Sequence, residues 1–196
     1  MLLRHAPTRL NELGHYQGQC DPSLSDVGYE IARAAAEHLQ SIAFTRIDSS
    51  PQQRAQQTAA LLRIRRPTLP DRTDIPGLRE RNLGLLDTQC ESCIEHRLPG
   101  LHTRITTDRV FPPPGGGETL TEVHARAHKA LAEYSTTTSG PALIVTHGGV
   151  LKALVEDPAV PMTSPLHAVI VDVTNSTTAV ATNVSLDALD ATLAAL

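Results

Sequence analysis

The sequence predicts an α/β fold: a three-layer α/β/α sandwich around a mostly parallel central sheet. Short apolar runs alternate with longer stretches of helical period, the order in which strands and helices follow one another in such folds. Ala142–Thr146 is a continuous apolar run, as a strand buried between two layers of helices requires. His5, Ser50 and His147, each within a separate motif, stand just after a predicted strand. In an open α/β sheet the carboxyl ends of the strands share one edge, and ligands bind there.

Taken in order, residues 1–3 read as the end of a first strand. Residues 6–24 read as a long polar loop punctuated by Pro7, Gly14, Gly18 and Pro22. Ser25 is the expected N-cap of a helix over about 26–40, with Val27, Ile31, Ala34, Ala35 and Leu39 near helical period. Residues 42–48 read as a second strand. Ser49-Ser50-Pro51 then opens a helix, with Pro51 in its first turn, that runs to about Ile64 and buries Ala55, Ala59 and Leu62. Residues 65–115 are irregular, broken by Pro67, Pro70, Pro76 and Pro99, with a short strand expected near 68–70 and a helix near 87–97. Pro112-Pro113-Pro114 and Gly115-Gly116-Gly117 close that segment as a hinge. Thr119-Leu120-Thr121-Glu122 is a capping-box pattern that opens a helix to about Tyr134. Gly148-Gly149 leads into a helix to about Glu156. Residues 166–173 and 177–184 read as paired strands joined around Asn175-Ser176, and Ser185 caps a last short helix.

At 196 residues the chain is expected to be one domain, 1–196, with an irregular segment at about 85–115 covering the active face. The net charge is −4, so no global basic field draws nucleic acid or an anionic membrane, and any phosphate affinity has to be local. Aromatic residues make up 3% with no Trp, which removes the platforms on which bases stack. No apolar run approaches a membrane span, and the N-terminus lacks the charged-then-apolar pattern of a signal peptide. A cytoplasmic setting is expected. Three cysteines, an odd number, do not suggest a disulfide framework.

Four segments carry the chemistry: Leu3-Arg4-His5, Ser49-Ser50-Pro51-Gln52-Gln53-Arg54-Ala55, Leu78-Arg79-Glu80-Arg81, and Val145-Thr146-His147-Gly148-Gly149. Phosphoryl transfer needs an in-line nucleophile, positive donors for the equatorial oxygens, and a proton for the departing oxygen. Two imidazoles, two guanidiniums and one carboxyl can meet those needs. Arg4 and Arg54 suit the phosphate clamp because guanidinium forks match phosphate oxygens. Gly148 lets the backbone approach the anion closely.

The order and spacing of these motifs, over about residues 2–155, resemble the histidine phosphatase superfamily, the phosphoglycerate mutase-like family. The resemblance implies His5 as the nucleophile of a phosphohistidine intermediate, with its other ring nitrogen donating to a backbone carbonyl. It implies Glu80 as the general acid that protonates the leaving alkoxide and then activates water, and His147 as a further donor to the phosphate. Asn11 aligns with a phosphate- or substrate-binding asparagine; Thr8 and His15 share its loop, and Arg81 adjoins Glu80, as substrate-binding candidates. The reading calls for no cofactor and no metal. Its partner is a small phosphorylated metabolite, with no nucleic acid and no membrane, and the paired C-terminal strands offer a sheet edge to a second subunit in a homodimer.

Two places depart from the family pattern. Ala6 and Pro7 stand where Gly and an acid are common, and Gly84-Leu85-Leu86-Asp87-Thr88 keeps only the first glycine of Gly-x-x-Glu-Gly. The Glu80-Arg81 pair is mutase-like, but the chain lacks much of the insertion that holds a bisphosphorylated sugar acid. Net hydrolysis is the expectation. The alternatives are a mutase-type phosphoryl transferase, or a biosynthetic or catalytically silent binding protein on the same fold. Cys90-x-x-Cys93-x-x-His96, with His102 beyond, offers zinc-ligand residues. On a helix those positions drift around the axis, so the reading is two half-buried thiols and an exposed histidine. His124 and His128 lie one turn apart without the Glu of a metalloprotease motif and read as surface.

Overall fold

The structure, a computed structural model, describes residues 1–155 and the strands at 168–170 and 182–184. Among the described residues five strands form one sheet: β1 (Leu2–Arg4), β2 (Arg46–Ser49), β3 (Ala142–Thr146), β4 (Ala168–Ile170) and β5 (Thr182–Val184), in the spatial order β2-β3-β1-β4-β5. The β2, β3 and β1 strands run parallel, with Ile47 opposite Leu143 and Leu2 opposite Ile144. β4 is antiparallel to β1, and β5 is antiparallel to β4.

Alternation along the strands creates the three layers. Leu3, Ile47, Leu143 and Val145 face one side, where they meet Ala32 and Ala35 of α2 (Asp26–His38) and Ala55, Ala59 and Leu62 of α3 (Gln53–Arg63). Leu2 and Ile144 face the other side. There they pack with Val123, Ala127 and Leu131 of α6 (Leu120–Thr137) and Val150 and Leu151 of α7 (Gly148–Leu154). A third cluster of Tyr16, Leu86 and Ile105, with Ile94, Leu101 and Phe111 around it, is the core of a cap formed by α4 (Glu91–Arg97), α5 (Leu101–Thr107) and their flanks.

Several elements differ from the sequence expectation, each for a local reason. The 6–24 loop contains a short helix, α1 (Arg9–Glu12), opened by a capping box between Thr8 and Asn11. Asparagine is not the Glu or Gln that marks such a box in a sequence. Helix α2 buries Gly28, Ala32, Ala35 and Ala36, and Val27 is 53% exposed. Gly28 sets that rotation: it lies so close to the Pro7 carbonyl that a Cβ would collide with it. β2 begins at Arg46 rather than at 42. Pro51 precedes the cap residue Gln52 of α3 instead of sitting in the first turn. No strand forms at 68–70; Asp74 instead makes a bridge to Ser49. Pro67 and Pro70, lacking N–H donors, suit a turn better than a ladder. Helix α5 was not anticipated.

Cys90 and Cys93 are joined as a disulfide across the start of α4, where two separate thiols were expected. His102 pairs with Tyr16 rather than with those sulfurs, and no group of three or more metal-ligating side chains occurs among the described residues. His124 is partly buried and its Nδ1 donates to Ala153 O at 3.0 Å, tying α6 to α7, with His128 stacked beside it. Among the described residues no helix is long and apolar enough to cross a membrane. The Asn175-Ser176 turn and the helix expected after Ser185 lie outside the described residues.

Candidate active site

Parallel pairing brings three chain positions to one sheet edge. His5 follows β1, Ser50 follows β2 and His147 follows β3. The His5 N–H donates to Thr146 O at 2.9 Å and the Ser50 N–H to Val145 O at 2.8 Å, so the ladder continues one residue beyond the strands and fixes where these side chains emerge. The imidazoles of His5 and His147 stand with centroids 5.2 Å apart and planes inclined at 60°.

His5 Nδ1 donates to the Ala6 carbonyl at 2.7 Å, which leaves the lone pair on Nε2. Nε2 accepts from Nε–H of Arg54 at 3.2 Å. Ala6 is fully buried, with its N–H donating to Thr58 Oγ1 at 3.1 Å. Its φ is not positive, so the Cβ that replaces the family glycine is accommodated without strain. The Pro7 carbonyl accepts from Ser25 N at 3.1 Å and anchors the turn.

Arg54 is fully buried. Its NH1 donates to Cys20 O at 2.7 Å and its NH2 to Gly18 O at 3.1 Å, leaving Nε directed at His5. His147, also fully buried, has Nε2 2.7 Å from Ser50 Oγ. Ser50 Oγ accepts from Gln52 N at 3.3 Å, so its own proton is available to His147 Nε2. His147 then carries its proton on Nδ1, an atom with no acceptor among the described residues. Burial, and next the positive charge of Arg54, push both imidazoles well below the ordinary histidine value, so both are neutral near pH 7. Burial likewise lowers Arg4 and Arg54, opposed most strongly by the charge of Glu80.

Glu80 is 7% exposed. Its carboxylate accepts from Arg81 N at 2.6 Å and from Gly149 N at 3.1 Å. A Cβ on Gly149 would collide with Glu80 Oε1, so glycine is what lets α7 approach the acid. Glu80 N donates to Gln52 Oε1 at 2.7 Å, and Glu80 O accepts from Arg126 NH2 at 3.1 Å. Arg126 also pairs with Glu118 at 2.8 Å, so the segment carrying the acid is braced from α6.

A cavity of about 550 Å³ opens onto this cluster, with Arg4, His5, Asn11, His15, Glu80, Arg81 and Gly148 in its wall. Arg54 and His147 are fully buried and not in its wall. Asn11 lines the cavity with its Oδ1 engaged by Thr8 N at 3.1 Å, which leaves its NH2 group as the donor. His15 Nδ1 donates to Thr88 O at 2.9 Å. Of two further substrate-binding candidates, Thr8 lies outside the cavity wall and Arg81 stands in it with its guanidinium engaged. Thr8 is fully buried behind the wall, where its hydroxyl lies 2.8 Å from Gln17 Oε1. Arg81 turns its guanidinium away from the anion end, to the carbonyls of Glu118 (2.6 Å), Phe111 (3.2 Å) and Ile105, so it holds the cap.

Sequence reasoning passed over four side chains that this cluster uses: Gln17, Ser50 as the partner of His147, Gln52 and Asp87. Gln17 lines the cavity with a buried Nε2 that has no partner among the described residues. Ser50 and Gln52 had a signal in their position between a strand and Arg54. Gln17 had none, and Asp87 had only its place at the acid position of the Gly-x-x-Glu-Gly pattern.

A model of the histidine phosphatase superfamily (branch 1) matches residues 1–177. The chain is 31% identical over 157 residues to a protein of Arabidopsis thaliana named metal-independent phosphoserine phosphatase, covering 79% of this chain and 66% of that one, just under two thirds of its length. It is 34% identical over 163 residues to a glucosyl-3-phosphoglycerate phosphatase of Mycobacterium tuberculosis, covering 79% of this chain and 72% of that one. Among solved structures, Bacillus stearothermophilus YhfR superposes with a TM-score of 0.79 at 28% identity, over 94% of this chain and 96% of that one. A mycobacterial glucosyl-3-phosphoglycerate phosphatase in complex with VO3 superposes with a TM-score of 0.72 at 33% identity, over 83% and 82%.

Proposed function

The chain belongs to the histidine phosphatase superfamily, and from that membership and the geometry of its site we propose that it is a metal-independent phosphatase of a small phosphorylated metabolite. His5 Nε2 attacks phosphorus. The N–H of Arg54 now on Nε2 passes to a phosphoryl oxygen as the N–P bond forms, Arg4 holds a second oxygen, and His147 Nδ1–H donates to another. The dianion raises the proton affinity of His147, opposing the effect of Arg54. Glu80 supplies the proton to the leaving alkoxide and later takes one from the water that attacks phosphohistidine. Asn11 and Gly148 bind phosphate at the rim. The observation that carries the reading is the hydrogen bond from His5 Nδ1 to Ala6 O, which sets the tautomer that leaves Nε2 nucleophilic.

Hydrolysis is favoured over a mutase reaction by the outer cavity wall. It includes the carboxylates of Glu12 and Glu91, which oppose binding of a second phosphate. The named phosphatase relatives support the same choice. The reading takes residues 1–196 as one domain with a cap over the site, working in the cytoplasm without nucleic acid, and as a homodimer through the sheet edge at β5. A net charge of −4 supports the absence of a nucleic-acid partner. The test is release of phosphate from an aryl phosphate in EDTA by wild type and by His5→Ala. Activity in the wild type and none in the variant is expected; equal activity in both refutes the nucleophile.

A further inference from the structure

We infer that Asp87 is a positioning residue for the phosphate clamp, acting on Arg54 through the backbone of residues 18–20. The inference rests on the phosphatase reading above. Asp87 is absent from the cavity wall and touches no reacting atom. Its Oδ1 accepts from Gly18 N and its Oδ2 from Cys20 N, each at 2.8 Å. The carbonyls of the same two residues face Arg54, whose NH2 donates to Gly18 O at 3.1 Å and NH1 to Cys20 O at 2.7 Å. Gln52 Nε2 bridges both carbonyls at 3.1 and 3.3 Å. Residues 18–20 are thus suspended between a carboxylate and a guanidinium, amides toward the anion and carbonyls toward the cation.

That suspension aims the guanidinium. With NH1 and NH2 fixed on two carbonyls, the plane of Arg54 is set by where the 18–20 backbone lies. Its Nε then has one direction to point, toward His5 Nε2 at 3.2 Å. Asp87 braces the amides of residues 18 and 20 from the far side, while Gln19 Nε2 ties the same segment to Glu80 O at 2.5 Å. Gly18 passes so close to Arg81 O and Leu83 N that a Cβ would stand 2.9 Å from each, so residue 18 has no side chain with which to pack. Asp87 accepts this role as an anion. Burial works against its charge, yet the Cys20 thiol and the backbone N–H groups outweigh that and hold the carboxyl below its ordinary value. Loss of the carboxylate frees the two N–H groups, lets the backbone settle away from Arg54, and moves the donor that faces the phosphoryl group. Displacements of this size near a reacting centre cost about 10- to 100-fold in rate.

The experiment measures kcat, inhibition by inorganic phosphate, and melting temperature for Asp87→Ala, Asp87→Asn and Asp87→Glu. Asp87→Ala is expected to lower kcat and weaken phosphate inhibition, each by about tenfold or more. Asp87→Asn, which keeps one acceptor, falls between, and Asp87→Glu restores most of the loss. In an Arg54→Lys background, Asp87→Ala should add less than its separate effect, because both act through one guanidinium. Wild-type kcat and phosphate affinity in a destabilised Asp87→Ala variant overturn the inference, as does full additivity with Arg54→Lys. If Asp87→Ala does not fold, Asp87→Asn decides by the same two readouts. A wild type that binds phosphate but releases none from any substrate overturns the phosphatase reading instead, and the phosphate affinities of the variants still test Asp87.

Discussion

Ser50 Oγ lies 2.7 Å from Nε2 of His147 in a fully buried contact between the ends of two neighbouring parallel strands. With the hydroxyl donating to Nε2, the proton of His147 sits on Nδ1. Ser50→Ala leaves Nε2 of His147 buried and unpaired, at a cost of roughly 1–3 kcal/mol, and frees the ring to take the other tautomer. The account expects a lower urea midpoint together with a loss of kcat of about tenfold or more, and Ser50→Thr to recover part of both. Stability lost with kcat intact contradicts it.

Replacing Glu80 with Gln removes the proton donor while keeping the acceptor for Gly149 N–H or Arg81 N–H. The deficit should scale with the leaving group. Alkyl phosphates, whose alkoxide needs a proton, are expected to lose about 100-fold or more in kcat/KM, and aryl phosphates with acidic phenols far less. An equal loss for both classes assigns the acid elsewhere.

Arg81 joins the acid's segment to the cap through the carbonyls of Ile105, Phe111 and Glu118. Arg81→Met leaves those acceptors without a donor. The expected result is a loss of about 3 kcal/mol, faster amide exchange confined to about 101–118, and a KM effect larger than the kcat effect. Direct contact with the phosphate would show instead as a kcat loss with unchanged exchange.

Acid should destabilise this protein through its two central imidazoles. Both are held well below the ordinary value of 6.5 by burial and then by Arg54. Below pH 6.5 the unfolded chain therefore takes up protons that the folded one refuses, and stability falls as pH drops through that value. Each imidazole adds a slope of up to about 1.4 kcal/mol per pH unit. Urea midpoints between pH 8 and pH 5 measure it. His147→Asn should flatten the curve, and inorganic phosphate should do so in the wild type; a flat wild-type profile contradicts the burial argument.

What the sequence made legible follows physical signal strength. Ala142–Thr146 was found to the residue because burial on both faces leaves an apolar run with sharp ends. Thr119 and Ser25 were found as caps because their side chains have a specific local task. Val27 was misplaced because the rotation of α2 is set by the approach of Gly28 to Pro7, a tertiary fact absent from periodicity. In the site, residues that carry charge or a ring at a strand end were legible. Arg81 was recognised as a cavity residue, but its hold on carbonyls more than 20 positions away was not legible, since nothing local points to them. Gln17 sits within a loop and left no pattern in composition or spacing, while Asp87 stands at the acid position of Gly-x-x-Glu-Gly, a pattern that does not say which amides the carboxylate accepts from.

The account turns on covalent chemistry at one nitrogen. The most direct measurement is rapid quenching of the enzyme during turnover under alkaline conditions, followed by mapping of any protein-bound phosphoryl group by mass spectrometry. The predicted result is a single acid-labile phosphoryl group on His5, absent from His5→Ala and longer-lived in Glu80→Gln. A turning-over enzyme with no phosphoryl group on His5, or with one on a different residue, contradicts it.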